Sequence, residues 1–162
     1  MDEAVQQFVE RMGLICEKEG IARSAGRIFG LLLVSGRPYS LDELAEKLQA
    51  SKAGVSTNCR MLEQFGMIER VSSLGDRRDF YRVLDNPWEH MMRAAQGRWR
   101  EMVKVLREVE PALPPHLTEG KRRLREAEEF HGLLIRQVDD LMEAWRSLQQ
   151  NGAAPERTEN AA

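Results

Sequence analysis

The sequence predicts a mainly α-helical protein with a single small β-hairpin and two long helices at its C-terminal end. Three observations carry that expectation. Two consecutive helices of the N-terminal half each begin at a capping serine, Ser40 and Ser51. The stretch VSSLGDRRDFYRV, residues 71–83, sets two β-rich runs on either side of a turn. Two later segments then repeat their apolar residues at alternating intervals of three and four, the period of a helix with a partner along its length.

The elements follow in order. Val5, Phe8, Val9, Met12, Ile15 and Cys16 recur at helical spacing until Gly20 stops the pattern. A second helix is expected over residues 23–35, ended by Ser35-Gly36 and Pro38. Ser40 with Glu43 three residues on forms a capping box before the stripe Leu41, Leu44, Ala45 and Leu48. Ser51 caps a further helix to about Phe65, where Gly66 terminates it. MIERVSS and DFYRVL then read as a hairpin turning at Ser73-Leu74-Gly75-Asp76. Asn86-Pro87 opens a long helix that PALPP, residues 111–115, breaks, and Thr118 caps a last helix to about Gln149. The tail NGAAPERTENAA has no apolar period and is expected to be disordered.

In the long segments, Trp88, Met92, Ala95, Trp99, Met102, Leu106 and Val109 form one seam. Leu124, Ala127, His131, Leu134, Val138, Leu141, Trp145 and Leu148 form the other. A homodimer built from these helices is the expectation, the alternative being that they pair only with each other in one chain. The organisation then reads as residues 1–20, a helix joining the dimerisation region; 21–85, a compact reader; 86–149, two dimerisation helices; and 150–162, a tail.

Composition narrows the function classes. The chain has 162 residues, 42% apolar and 31% charged, as expected for a globular protein with a core. LLLV at 31–34, its longest apolar run, is too short to span a bilayer, and the acidic N-terminus is no signal peptide. Cys16 and Cys59 are too few for a disulfide framework, so the expected location is cytoplasmic. The net charge of −2 is unevenly spread. Residues 20–84 hold ten Lys/Arg against seven Asp/Glu, leaving fourteen against nineteen elsewhere. A basic module on an acidic body suits a DNA reader joined to a part that stays off DNA.

A capped helix, a tight turn, a second capped helix and a hairpin make a winged helix-turn-helix, whose second helix enters the major groove of double-stranded DNA. Val55, Cys59, Leu62 and Gly66 occupy one face of that helix and should pack inward. Ala53, Ser56, Thr57, Arg60 and Gln64 occupy the other. Small residues let the helix sit deep, hydroxyls bond phosphates or base edges, and an arginine takes guanine or phosphate. Arg77 and Arg78 fall at the wing tip, where they can reach the adjacent minor groove. Asp76 is placed to hold one of them by a charge-assisted hydrogen bond. The candidate DNA-binding residues are therefore Ser51, Lys52, Ala53, Ser56, Thr57, Arg60, Arg77 and Arg78. The rival reading is a winged helix that docks a protein, but such a dock needs aromatic or aliphatic anchors that this face lacks.

From Phe8 to Leu84, and more loosely to the end, the chain resembles the MarR superfamily of winged-helix regulators, most closely its GbsR-like branch. The resemblance rests on FVERMGLICEKEGIARSAGRIFGLLL, PYSLDELAEKLQASKAGVST, LEQFGMIERV and GDRRDFYRV, in that order. It implies a homodimer whose first and last helices form the dimer, and a transcriptional regulator, usually a repressor, of a nearby operon. It also implies a wing pattern D-x-R, matched by Asp76 and Arg78, with the arginine entering the minor groove. The Leu-Thr common at the end of the wing is Leu84-Asp85 here. A small-molecule effector is a further implication, the branch including sensors of choline-like cations. Trp88, Trp99, Phe130 and Trp145 could supply an aromatic cage for one. Three of these sit on seam positions, so core packing is the reading preferred.

His131, alone on a seam, is expected to be a core histidine bonded to a partner chain, with a pH switch as the alternative. Cys59 is expected to be a small buried hydrophobe rather than an oxidation sensor. His90, His116 and His131 are isolated from each other, so no metal spacing exists and no cofactor is expected. No glycine-rich phosphate loop, nucleophile elbow or paired catalytic carboxylates occur, which excludes an enzyme.

Overall fold

The computed structural model describes residues 1–73 and 75–152. The chain divides into two compact units, Met1–Ala94 and the residues from Ala95 onward. The first contains α1 (Glu3–Lys18), α2 (Arg23–Ser35), β1 (Tyr39–Ser40), α3 (Leu41–Leu48), α4 (Lys52–Gln64), β2 (Ile68–Ser73), β3 (Asp76–Val83) and the start of α5 (Pro87–Ala112). The second holds the rest of α5 and α6 (Thr118–Gly152). The mainly helical class with a small antiparallel sheet is thus the observed one.

Local chemistry sets most of these boundaries. Ser40 Oγ accepts from the Glu43 amide at 3.2 Å while the Ser40 amide donates to Glu43 Oε2 at 2.8 Å, a complete capping box. Ser51 Oγ accepts from the Gly54 amide at 3.2 Å and starts α4. Gly66 follows α4 with φ +69°, and a Cβ there would stand 2.8 Å from the His90 carbonyl oxygen, so both torsion and space demand glycine. Asn86 Nδ2 donates to Glu89 Oε2 at 2.9 Å across the first turn of α5.

Two departures from expectation have plain causes. Tyr39–Ser40 form a short strand that pairs with β3, Tyr39 opposite Tyr81 and Ser40 opposite Phe80, giving sheet order β1-β3-β2. Two residues are too few to show alternation in sequence, so only register reveals them. Helix α5 ends at Ala112, inside the PALPP stretch expected to break it, whereas α6 starts with Thr118 already inside the helix, since the Lys121 amide bonds the Leu117 carbonyl. Thr118 is therefore not the cap. The hairpin turn includes Leu74, which lies outside the described residues, as does the expected tail from residue 153.

The core of the first unit gathers Val9 of α1, Ile28, Phe29 and Leu32 of α2, Leu44 and Leu48 of α3, Val55 and Cys59 of α4, and Ile68 and Tyr81 of the sheet. Helix α1 lies very close to α2. A Cβ on Gly26 would stand 2.5 Å from the Met12 carbonyl oxygen and 2.8 Å from Cys16 Cβ and Sγ. Glu10 fastens the same crossing from the surface, 2.9 Å from Arg23 Nη2 and 2.8 Å from Arg27 Nε.

In the second unit α5 and α6 run antiparallel, as shown by Arg107 Nε to Glu128 Oε1 at 2.7 Å and Arg125 Nε to Glu110 Oε1 at 3.5 Å. Seam residues Ala95, Leu106 and Val138 are buried here, joined by Val103 and Met142 from outside the expected seam. Gln96, fully buried, donates Nε2 to the Ile135 carbonyl at 2.7 Å. Seam residues Met102, Val109, Leu141 and Leu148 remain exposed, together with Val105, Phe130 and Leu133. Each helix carries an apolar surface wider than one neighbour covers.

Candidate nucleic-acid interface

Helix α4 is held from behind and open in front. Val55, Cys59 and Leu62 are buried, as their spacing predicted. Asn58, which sequence reasoning missed, locks the helix to α2: its Nδ2 donates to Ser24 Oγ and to the Gly54 carbonyl, both at 2.8 Å. A lone Asn in mid-helix gives no such signal in sequence, because its partner lies far away in the chain.

On the front, Ser51, Lys52, Ala53, Thr57 and Arg60 are exposed and Ser56 is half-buried. Arg60 Nη2 reaches Thr57 Oγ1 at 3.5 Å, so the two polar groups share one patch. Lys52 Nζ lies 2.7 Å from Asp42 Oδ1 in the first turn of α3. Burial pushes the Cys59 thiol up to about 12, with Glu63 adding to the effect, so Cys59 is a neutral packed side chain.

The wing presents its arginines outward. Arg78 and Phe80 project from the same face of β3, since alternate residues share a face, and the guanidinium lies 5.2 Å from the ring centroid. Asp76 clamps Arg78. Its carboxylate accepts from Arg78 Nε at 2.9 and 3.0 Å, from Nη2 at 2.5 Å, and from the Arg78 amide at 3.0 Å. These bonds hold the Asp76 carboxyl below the usual carboxylate range and raise Arg78 further. The hydrogen bond expected from Asp76 to one of the two arginines is present, on Arg78. Arg77 is exposed next to it, on the opposite side of the strand.

At the foot of the wing a cleft of about 350 Å³ is lined by Leu32, Leu33, Arg82, Leu84, Pro87 and Trp88 among others. Trp88 is 41% exposed and meets Phe29 edge-on with centroids 6.0 Å apart, so it is less buried than a core role implies. Trp99 and Trp145 are half-buried and Phe130 is exposed, all three in the second unit. His131 is half-buried in this chain. Its Nδ1 sits 2.7 Å from the Ala127 carbonyl one turn back on the same helix. Among the described residues, no helix is long and apolar enough to cross a membrane.

Two helices joined by a tight turn, with a cationic β wing beside the second, define a winged helix-turn-helix protein. The chain is 37% identical over 146 residues to the HTH-type transcriptional regulator MmpR5 of Mycobacterium tuberculosis, covering 85% of this chain and 84% of that one. It is 23% identical over 103 residues to the HTH-type transcriptional repressor OpcR of Bacillus subtilis, covering 64% and 56% respectively. A crystal structure of a transcriptional regulator superposes with a TM-score of 0.81 at 36% identity, over 89% of this chain and 99% of the other. No protein-family model matches the chain. The chain belongs to the HTH-type transcriptional regulators: it is a DNA-binding regulator of transcription and not an enzyme.

Proposed function

We propose that the chain is a homodimeric, sequence-specific repressor of the MarR superfamily, in its GbsR-like branch, acting in the cytoplasm on an inverted-repeat operator. Each subunit lays α4 in a major groove. Ser51, Lys52 and Ser56 anchor phosphates, small Ala53 allows close approach, and Thr57 and Arg60 read base edges. Arg77 and Arg78 read the width of the flanking minor groove. Two-fold symmetry places the half-sites about one helical turn, or a multiple of it, apart.

The observation that carries this reading is the chemistry of the front surface. Among the described residues, the exposed positions of α4 are Lys52, Ala53, Thr57, Arg60 and Gln64, and Arg77 and Arg78 are exposed on the wing, while Val55, Cys59 and Leu62 of α4 are buried in the core. A protein dock would need the reverse. The dimer rests on the exposed apolar residues of α5 and α6, Met102, Val105, Val109, Phe130, Leu133, Leu141 and Leu148, and on Leu14 and Ile15 of α1. Repression is supported by the name of OpcR. A small-molecule effector would act by changing the angle between the two reading heads, and the cleft beside Trp88 offers it an apolar floor.

Fluorescence anisotropy on DNA from upstream of the protein's own gene tests the reading. Tight binding there, weak binding to a shuffled duplex, and a salt slope that falls by about 0.9 in Arg78→Ala are expected. Equal, weak binding to both duplexes and to other promoters, unchanged by the substitution, would favour the protein-docking alternative.

A further inference from the structure

Four cations of the helix-turn-helix and wing are each held by a nearby carboxylate. Lys52 pairs with Asp42 at 2.7 Å, Arg78 with Asp76 at 2.5 Å, Arg70 with Asp79 at 3.2 Å and Arg37 with Glu43 at 3.2 Å. Among the described residues, Arg60 and Arg77 stand on this surface with no carboxylate at ion-pair distance. The Lys52 pair differs from the others in its placement. Asp42 is the second residue of α3 and Lys52 the first of α4, so the contact bridges the two helices across the turn, where the recognition helix begins.

It differs from the wing clamp in its chemistry as well. Asp76 fixes a planar guanidinium through several bonds, which orients it. Asp42 meets a flexible ammonium at a single contact, with the two side chains 54% and 70% exposed. An exposed pair of this kind opens at little cost, so its lysine is restrained rather than locked.

We propose that Asp42 is a specificity-determining residue, withholding the Lys52 ammonium from DNA unless a phosphate is fixed within its reach. The inference rests on the DNA-reading function above. On a matched site, base contacts by α4 fix the backbone, a phosphate takes a constant position beside Nζ, and the lysine exchanges carboxylate for phosphate. On an unmatched duplex the helix has no fixed register, the phosphate position varies, and Lys52 stays with Asp42. One fewer phosphate is then neutralised in the unspecific complex, and unspecific affinity consists almost wholly of such contacts. The carboxylates of this first turn also act on the wing: Glu43 and Asp42 both add to the field that stabilises charged Arg78. The first turn of α3 and the wing tip therefore lie in one electrostatic neighbourhood.

The test uses the full chain and two duplexes, one enriched by the wild-type protein from a random library and one shuffled. Anisotropy across a salt series is measured for wild type, Asp42→Asn, Asp42→Glu, Lys52→Ala and the double variant Asp42→Asn/Lys52→Ala. Asp42→Asn should tighten binding to the shuffled duplex by up to about eightfold at about 0.1 M salt, with a slope steeper by about 0.9, the value of one phosphate contact. Binding to the enriched duplex should change less, so the specificity ratio falls. Asp42→Glu should keep the wild-type ratio, and the double variant should show no gain over Lys52→Ala. Unchanged shuffled binding in Asp42→Asn overturns the inference. A gain that survives in the Lys52→Ala background also overturns it, since Asp42 would then act on phosphates directly. If the wild type enriches no sequence and binds no duplex, the DNA reading fails and takes this inference with it.

Discussion

Substituting Gly26 by alanine tests how closely the first helix is pressed against the reader. The added Cβ would stand 2.5 Å from the Met12 carbonyl oxygen, against 3.4 Å at the start of ordinary contact, so the helices must part by about 0.9 Å. The obstacle is backbone, and it cannot rotate away as a side-chain tip would. Cys16 Cβ and Sγ close the remaining directions at 2.8 Å. Overpacking that forces a backbone shift costs about 3 kcal/mol, at the upper end of its usual range. Replacing a helical glycine by alanine returns about 1 kcal/mol of propensity. The net loss is about 2 kcal/mol, a fall in Tm of about 4–8 °C for a chain of this size. Gly97→Ala is the reference, because it receives the same propensity gain and its Cβ meets nothing within 4 Å in this chain. Urea and thermal unfolding followed by circular dichroism, at one fixed protomer concentration, give both numbers. If Gly26→Ala is as stable as Gly97→Ala, the close crossing is wrong and the account of how α1 is seated falls with it.

Two further outcomes are expected. Ser40→Ala removes the hydroxyl half of the capping box and should destabilise the chain by about 1 kcal/mol at about pH 7 in urea unfolding. The Glu43 pKa is lowered, chiefly by the Ser40 amide and then by its hydroxyl, so the carboxylate contributes stability above its unfolded value that is lost as pH falls through the folded one. The difference between wild type and Ser40→Ala should therefore shrink as pH falls below the ordinary carboxylate value of 4.5, and a constant difference would contradict the geometry. For Cys59 the folded pKa is raised to about 12, so the stability gained by keeping the thiol neutral is full below the unfolded value of 9.0 and declines as pH rises from there towards 12. In Cys16→Ser, thiol-reactive dye at about pH 8 should label Cys59 only at the rate of unfolding. Fast labelling of the native chain would reopen a sensor role.

Much of the reader was legible because its signals are local. Ser40 with Glu43, Ser51 before α4, Gly66 after it and the residues flanking the wing turn each act within a few positions, so spacing alone places them. The inward face of α4 was legible for the same reason, since Val55, Cys59 and Leu62 recur at helical period. The D-x-R clamp needs only two residues between which no chain has to fold.

Tertiary structure decided whatever depends on residues far apart in the chain. Strand β1 exists because Tyr39 and Ser40 find Tyr81 and Phe80, a register no two-residue stretch announces. Asn58 becomes an anchor through Ser24, and Asp42 meets Lys52 only because α3 and α4 fold across their turn. The heptad periods showed that α5 and α6 need partners. Which residues turn toward the neighbouring helix, Gln96, Val103 and Met142 rather than Met102 and Leu141, followed from how far each helix rotates about its axis. Periodicity constrains a helix's apolar residues to one side; rotation between packed neighbours is set by the fit of side chains on both. The sequence by itself thus determined the order of elements, their caps and the polar front of the reading helix. Packing alone decided which helix faces meet and which carboxylate restrains which cation, because those pairings are contacts between distant parts of the chain.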